Sequence, residues 1–249
     1  MSASLNGKSA LVTGGARRVG AAICRRLHAA GANVVVHCHH SVADAQALVQ
    51  EMNGQRAASA VLVQADLLAS GALPQLAQQA QSAFGRLDVL VNNASSFYAT
   101  PVGSIDEQAW QDLIGTNLKA PLFLSQAAAP ELKRTQGCIV NIIDIHAERP
   151  LASHMVYTAA KGGLLALTRS LALELGPQVR VNGVSPGTII WPDGPEWQND
   201  RERQRILDQI LLKRTGEPDD IAGAVEFLAT APYVTGQIIA IDGGRSIVL

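Results

Sequence analysis

Cysteine is scarce in this chain: Cys24, Cys38 and Cys138 are spread over 249 positions. Three residues at such wide spacing build neither a disulfide framework nor a zinc site, and core thiols are the simplest reading. An excess of one charge is missing as well. The formal net charge is -1 and the Lys and Arg residues are scattered, which argues against nucleic acid or an anionic membrane as partner and for a small molecule. No apolar run reaches the roughly 18 residues that span a bilayer, and Met1 to Lys8 holds no charged segment followed by an apolar one. The expected setting is the cytoplasm. Repeats, low-complexity tracts and linkers are also lacking. With 47% hydrophobic and 16% charged residues, the chain reads as one large α/β domain over residues 1–249.

What is present is a rhythm of short apolar runs alternating with helical patterns. Ser9 to Val12 stops at Thr13-Gly14-Gly15-Ala16-Arg17-Arg18-Val19-Gly20, after which Ala21, Ala22, Ile23, Leu27 and Ala30 recur at helical spacing. A strand, a glycine turn and a helix in that order let backbone approach a diphosphate at a helix N-terminus. The second strand, Asn33 to Cys38, runs into His39-His40-Ser41. A fold that prefers NAD places a carboxylate there for the ribose 2′-hydroxyl; its absence, with Arg17 close in the turn, favours NADPH. A metal site from His37, His39 and His40 is the weaker reading, because alternate strand residues face opposite ways and nothing completes a ligand shell.

Further runs follow the same rhythm. Ala60 to Leu67 reads as a third strand carrying Asp66, placed for an adenine amine or for a helix cap. Leu87 to Ala94 is a fourth, running into Asn92-Asn93-Ala94. Alternation of this kind predicts parallel βαβ units with the ligand crevice at the strand C-ends. Beyond strand four, Ser95-Ser96-Phe97-Tyr98 offers aromatic rings for loop packing or for stacking on a flat ligand. A helix from Ile105 carries Asn117, whose amide needs buried partners.

The fifth run, Cys138 to Ile143, ends at Asp144, and Tyr157 and Lys161 follow four residues apart on one helix face. A fixed ammonium beside a phenol is expected to lower the Tyr pKa, making an acid/base device. The same helix continues through Leu164, Leu165, Leu167, Leu171 and Leu175, an apolar face broad enough for a subunit interface. A sixth strand ends in Ser185-Pro186-Gly187, a loop over about 188–210 containing Trp191 and Trp197 has the place of a substrate lid, and a last strand ends in Asp242-Gly243-Gly244-Arg245.

Taken together, Thr13-Gly14 through Gly20, Asn92-Asn93-Ala94, Tyr157-x-x-x-Lys161, Ser185-Pro186-Gly187 and Asp242-Gly243-Gly244 resemble the short-chain dehydrogenase/reductase family over essentially the whole chain. The resemblance implies a doubly wound Rossmann-type parallel sheet of about seven strands with helices on both faces, a nicotinamide cofactor and a homotetramer. It implies Tyr157 as proton donor, Lys161 as the nicotinamide-ribose ligand that lowers the Tyr pKa, and Asn117 as holder of a water relay. The cofactor-binding set it implies takes in Gly14 with Val19 and Gly20, Leu67 beside Asp66, Asn93 with Ala94 and Ser95, and Pro186 with Gly187.

Two departures carry further. The glycine turn reads Thr-Gly-x-x-x-Arg-x-Gly, with Arg18 where the family usually has Gly, and Asp144 stands where the family has its catalytic Ser. A carboxylate repels the negative charge that develops on a carbonyl oxygen, whereas chemistry that needs a proton on nitrogen suits it. With Ser95, Phe97 and the His37 to Ser41 segment, these departures look like the pteridine reductase branch, which reduces biopterin- and folate-type rings. That likeness implies a pterin lying against Phe97, contacts to it from Arg18 and Ser95, an Asp144–Tyr157 proton source, and Trp191 at the substrate loop. A carbonyl reductase acting on a 3-oxoacyl, steroid or sugar ketone is the alternative, and a non-catalytic nucleotide-binding regulator a remoter one.

Overall fold

A computed structural model describes residues 4–191 and 199–248. Seven strands form one parallel sheet in the order β3-β2-β1-β4-β5-β6-β7: β1 Ser9–Val12, β2 Asn33–Cys38, β3 Ala60–Gln64, β4 Val89–Asn92, β5 Cys138–Ile142, β6 Arg180–Pro186 and β7 Ile238–Ile241. The strand residues are near-continuously Val, Ile and Leu because both sheet faces are covered. Their alternation divides the core. Ala10 and Val12 of β1 and Val34 and Val36 of β2 pack on one face, while Leu11 and Val35 pack on the other.

The first face is covered by α1 Arg18–Ala29, α2 Val42–Gln55 and, later in the chain, a helix over Pro218–Thr230. The second is covered by α3 Ala72–Phe84, by a helix over Ala120–Thr135 and by the C-terminal half of one over Met155–Leu175. Together they make the single doubly wound α/β domain expected from the alternating pattern. Among the described residues no helix is long and apolar enough to cross a membrane.

Two local differences from the sequence reading bear on the site. Strand β3 stops at Gln64 instead of Leu67, because its only neighbour, β2, ends where Cys38 pairs with Gln64. Asp66 and Leu67 are thereby left in a loop over the sheet's C-terminal edge. The helix expected from Ile105 is also interrupted: α4 Glu107–Ile114 passes through a π-helical turn, Gly115–Lys119, before α5 Ala120–Thr135. The turn gives Asn117 a fully buried position in which Nδ2 donates to the Leu113 carbonyl at 2.9 Å. Such turns re-aim a side chain at the cost of helix regularity, and they concentrate at functional sites.

The order reverses between β1 and β4, so adjacent crossovers leave in opposite directions and a crevice opens above that pair. Thr13 ties its floor together. Its Oγ1 accepts from the backbone N–H of Asn93 at 2.9 Å and of Ala94 at 3.1 Å, and its own amide donates to the Val91 carbonyl. Replacing Thr13 by the isosteric Val orphans two donors, and a buried donor without an acceptor costs about 1–3 kcal/mol. Because both amides are only partly buried, Thr13→Val is expected to lower stability by about 2 kcal/mol in urea unfolding.

Candidate active site

The C-terminal ends of the strands converge on one cavity of about 1130 Å³. Its first wall is the glycine turn. Gly14 adopts φ +61°, and a Cβ placed on Gly20 would lie 2.1 Å from the Gly14 carbonyl oxygen. Two side chains hold the turn in place. Asn93 Nδ2 donates to the carbonyls of Thr13 and Gly14 at 2.9 and 3.1 Å, and the Gly14 amide donates to His37 Nδ1 at 3.2 Å. Because Nδ1 accepts, the ring proton sits on Nε2, which faces the Ala65 carbonyl at 3.1 Å. Burial pushes the His37 pKa down to about 4, so the ring is a neutral strut between the turn and the loop after β3. A glycine turn leading into the N-terminus of α1 fits the diphosphate of a dinucleotide.

The end of the cavity beside β2 and β3 is lined by Arg17, His39, His40, Ser41, Asp66 and Leu67. The His39 and His40 rings lie 3.6 Å apart, tilted by 30°, and no carboxylate stands at the tip of β2. Arg17 is exposed, with Nε 3.8 Å from Asp44 Oδ2 in the first turn of α2. Asp66 Oδ1 accepts the Leu68 amide at 2.9 Å, so Asp66 caps its own loop while it lines the cavity.

At the other end lies the chemistry. Asp144 follows β5 and caps a short 3₁₀ turn, Ile145–Ala147, with Oδ1 accepting the His146 amide at 2.8 Å. Tyr157 and Lys161 stand one turn apart on α6 Met155–Leu175. Tyr157 Oη donates to Asp144 Oδ2 at 2.8 Å. Lys161 Nζ donates to the Ile142 carbonyl at 2.9 Å and lies 5.7 Å from the centre of the Tyr157 ring.

Phe97 is held by the head of the same helix. It stacks on His154 with ring centres 4.6 Å apart and planes 17° apart, and meets Tyr157 edge-on at 4.9 Å. A backbone bridge between Thr100 and His154 pins its loop. Ser95 Oγ donates to Asn117 Oδ1 at 2.6 Å, and Asn117 Nδ2 also donates to the Ser96 carbonyl at 2.9 Å. Arg18 Nη2 donates to the Trp191 carbonyl at 3.1 Å, while the Trp191 ring packs on the Arg203 guanidinium 5.3 Å away. Trp191, Pro186 and Gly187 line the cavity; residues 192–198 of the expected lid, including Trp197, lie outside the described residues.

The family model described as enoyl-(acyl carrier protein) reductase matches residues 14–246. Pteridine reductase 1 of Leishmania tarentolae is 38% identical, with 99% of each chain covered. A 3-oxoacyl-acyl-carrier-protein reductase of Staphylococcus epidermidis is 37% identical over 95% of this chain and 98% of its own. The chain belongs to the short-chain dehydrogenase/reductase family. Membership makes it an oxidoreductase that uses a nicotinamide cofactor, and the glycine cradle fits that group.

Within the short-chain dehydrogenase/reductase frame, two expectations change. The Tyr157 phenol is not brought below its ordinary range: burial, with the negative charge of Asp144 and its hydrogen bond, holds it well above, against the lowering expected from Lys161. The physical reason is placement. The ammonium donates to the Ile142 carbonyl and stays 5.7 Å from the ring centre, whereas the carboxylate touches the phenol directly. Asn117 is likewise not on the cavity wall. Its amide hydrogens both go to backbone carbonyls, so it positions Ser95 from behind.

Three residues at the site escaped the sequence reading. His37 stands in the sequence as a weak metal-ligand candidate and as part of the His37 to Ser41 segment, with nothing to mark it as a strut for the glycine turn. His154 announces itself only by lying three residues before Tyr157, on the same helix face. Arg245 follows the last glycine turn and lines the cavity, buried, with Nη1 donating to Thr188 Oγ1 at 2.9 Å.

Burial lowers the Lys161 pKa to about 8, partly offset by Asp144. The ammonium is therefore present below about pH 8 and lost above it. Since kcat/KM reports ionisations of the free enzyme, its pH profile is expected to fall above about pH 8. Lys161→Arg, which keeps its charge, should remove that limb of the profile.

Proposed function

We propose that the chain is an NADPH-dependent pteridine reductase that converts biopterin- or folate-type rings to dihydro and tetrahydro forms. The observation that carries this reading is the 2.8 Å hydrogen bond between Tyr157 Oη and Asp144 Oδ2, at the place where a hydroxyl would serve a carbonyl substrate. The similarity to pteridine reductase 1 supports it, and the tip of β2, with histidines and no carboxylate, supports NADPH over NADH. A homotetramer in the cytoplasm, acting on a small molecule, belongs to the same reading.

A C=N bond accepts hydride readily once its nitrogen carries a proton. A nicotinamide held by the glycine turn and Lys161 would supply the hydride to the ring carbon. The chain's own residues handle the proton. Tyr157 keeps its phenolic hydrogen because burial and Asp144 disfavour the phenolate, so a proton is stored at the Oη–Oδ2 contact for the adjacent ring nitrogen. Tyr157 Oη is the donor of that contact and is the oxygen that can pass the proton on. Lys161, buried behind Tyr157, opposes the negative charge that the pair holds once the proton has gone. Phe97, braced by His154, offers a flat face for the pterin, and Ser95 and Arg18 supply donors around it.

The similarity to a 3-oxoacyl reductase at nearly equal identity favours a second reading, reduction of a ketone. Steady-state oxidation of NADPH and NADH with biopterin, dihydrobiopterin, dihydrofolate and an acetoacetyl thioester separates the two. Pterin turnover with NADPH supports the first reading; ketone turnover alone overturns it. Asp144→Ser is expected to reduce pterin turnover by about 100-fold or more, on the scale of general acid catalysis, while the NADPH Kd is retained. Unchanged turnover of dihydropterin in that variant would sink the assignment.

A further inference from the structure

The last strand delivers a cation whose charge the reaction described above leaves unused. Gly243 and Gly244 turn the chain at φ +62° and +82°, and Cβ atoms at these positions would approach Ile210 and Leu211 to 2.7 Å. The turn therefore requires glycine, and it sends Arg245 toward the cavity instead of into solvent. The Arg245 side chain is 8% exposed and forms part of the cavity wall with Asp144 and Thr188. Among the described residues its side chain has one hydrogen-bond partner, Thr188 Oγ1 at Nη1, and its Nε is buried without one.

A buried guanidinium ordinarily has a carboxylate, because an unpaired charge in a low-dielectric site is costly. Among the described residues none lies within ion-pair distance of Arg245, and the two carboxylates that act on it through space are engaged elsewhere. Asp242 accepts the amides of Gly244 at 2.9 Å and Ser246 at 2.7 Å. Asp144 accepts the His146 amide through Oδ1 and the Tyr157 hydroxyl through Oδ2. With no carboxylate paired to Arg245 among the described residues, an anion entering the cavity would supply its counterion.

We propose that Arg245, oriented by Thr188, binds an anionic group of the substrate and selects pteridines that carry a carboxylate, of the folate type, over those with an uncharged side chain. The inference rests on the pteridine reading given above and names the substrate class within it. A carboxylate suits the site better than a ring oxygen because a full charge in the fork of a guanidinium gains both Coulombic energy and paired hydrogen bonds.

The test compares kcat/KM for dihydrofolate with kcat/KM for dihydrobiopterin in the wild type, Arg245→Gln, Arg245→Lys and Thr188→Val. Each variant is also titrated with NADPH by fluorescence. Arg245→Gln is expected to lower the dihydrofolate-to-dihydrobiopterin ratio by about 10- to 100-fold, the scale of a hydrogen bond to a charged group, chiefly through KM. Arg245→Lys should recover part of the preference. Thr188→Val, which keeps the cation but frees it, should lose less than Arg245→Gln, and these two variants carry the comparison if the Gln variant does not fold.

A ratio unchanged from the wild type, both substrates weakened alike, or a parallel loss of NADPH affinity overturns the assignment of Arg245 and leaves the pteridine reading standing. Failure of the wild type itself to bind either pterin in its NADP complex overturns both.

Discussion

The contact between Tyr157 and Asp144 depends on almost every larger feature of the fold. One partner stands just past the end of a central strand buried on both faces, and the other one turn into a long helix, so the 2.8 Å contact exists only if β5 and α6 are in register. Lys161 supplies part of that register: its ammonium reaches from the helix to the Ile142 carbonyl at the end of β5. The Thr100–His154 bridge supplies another part, tying the loop after β4 to the helix head. The phenol is thus located by backbone on three sides, and its proton by a single carboxylate. A site assembled this way tolerates little variation at the end of β5 or the head of α6.

The same arrangement explains why several unfavourable groups persist. Lys161, Tyr157, His37 and Arg245 are all buried polar side chains, and burial acts against the charged form of each. For His37 and Tyr157 the outcome is a fixed neutral donor, a ring N–H and a phenolic O–H. For Lys161 and Arg245 the charge survives at neutral pH against its desolvation, which is costly unless something in the cavity answers it. Arg18 carries a different cost. Its φ of +53° lies in the left-handed region, where a side chain costs roughly 1–2 kcal/mol relative to a right-handed one. That is the position at which the family usually has Gly, and the strain accompanies a guanidinium held at the cavity mouth by the Trp191 carbonyl.

How much of this was readable in the residue order follows from the range of each interaction. The strand–turn–helix units, their parallel pairing and the convergence of motifs at the strand C-ends were legible, since each rests on local periodicity and on the handedness of crossovers. The Asp144, Tyr157 and Lys161 trio was legible as a set of positions. Its electrostatics were not. Spacing put the ammonium and the phenol on one face, but which charge touches the phenol is decided by the end of β5, which no count along α6 contains. The π turn at Gly115–Lys119 was hidden for a related reason: α4 and α5 read as one continuous pattern, and only the packing of Asn117 against Ser95 and Ser96 exposes the insertion.

Arg245 was hidden by topology. It lies 101 residues after Asp144 in the chain, and only the pairing of β7 beside β6 brings the two into one cavity. The close approach of those strands is itself a glycine effect, since a Cβ on Gly187 would sit 2.7 Å from Asp242. The glycines after β6 and β7 thus have a physical role beyond marking turns. They let the two strand ends close on each other, so that Asp242 can cap the final turn and Arg245 can reach Thr188. Asp144 then meets two kinds of partner across the same cavity: the phenol it contacts, whose proton it helps to hold, and a guanidinium it attracts without contacting. Because that cation is not paired with Asp144, a substrate anion can compete for it without taking the carboxylate away from Tyr157, and recognition of the substrate's charge is kept apart from delivery of the proton.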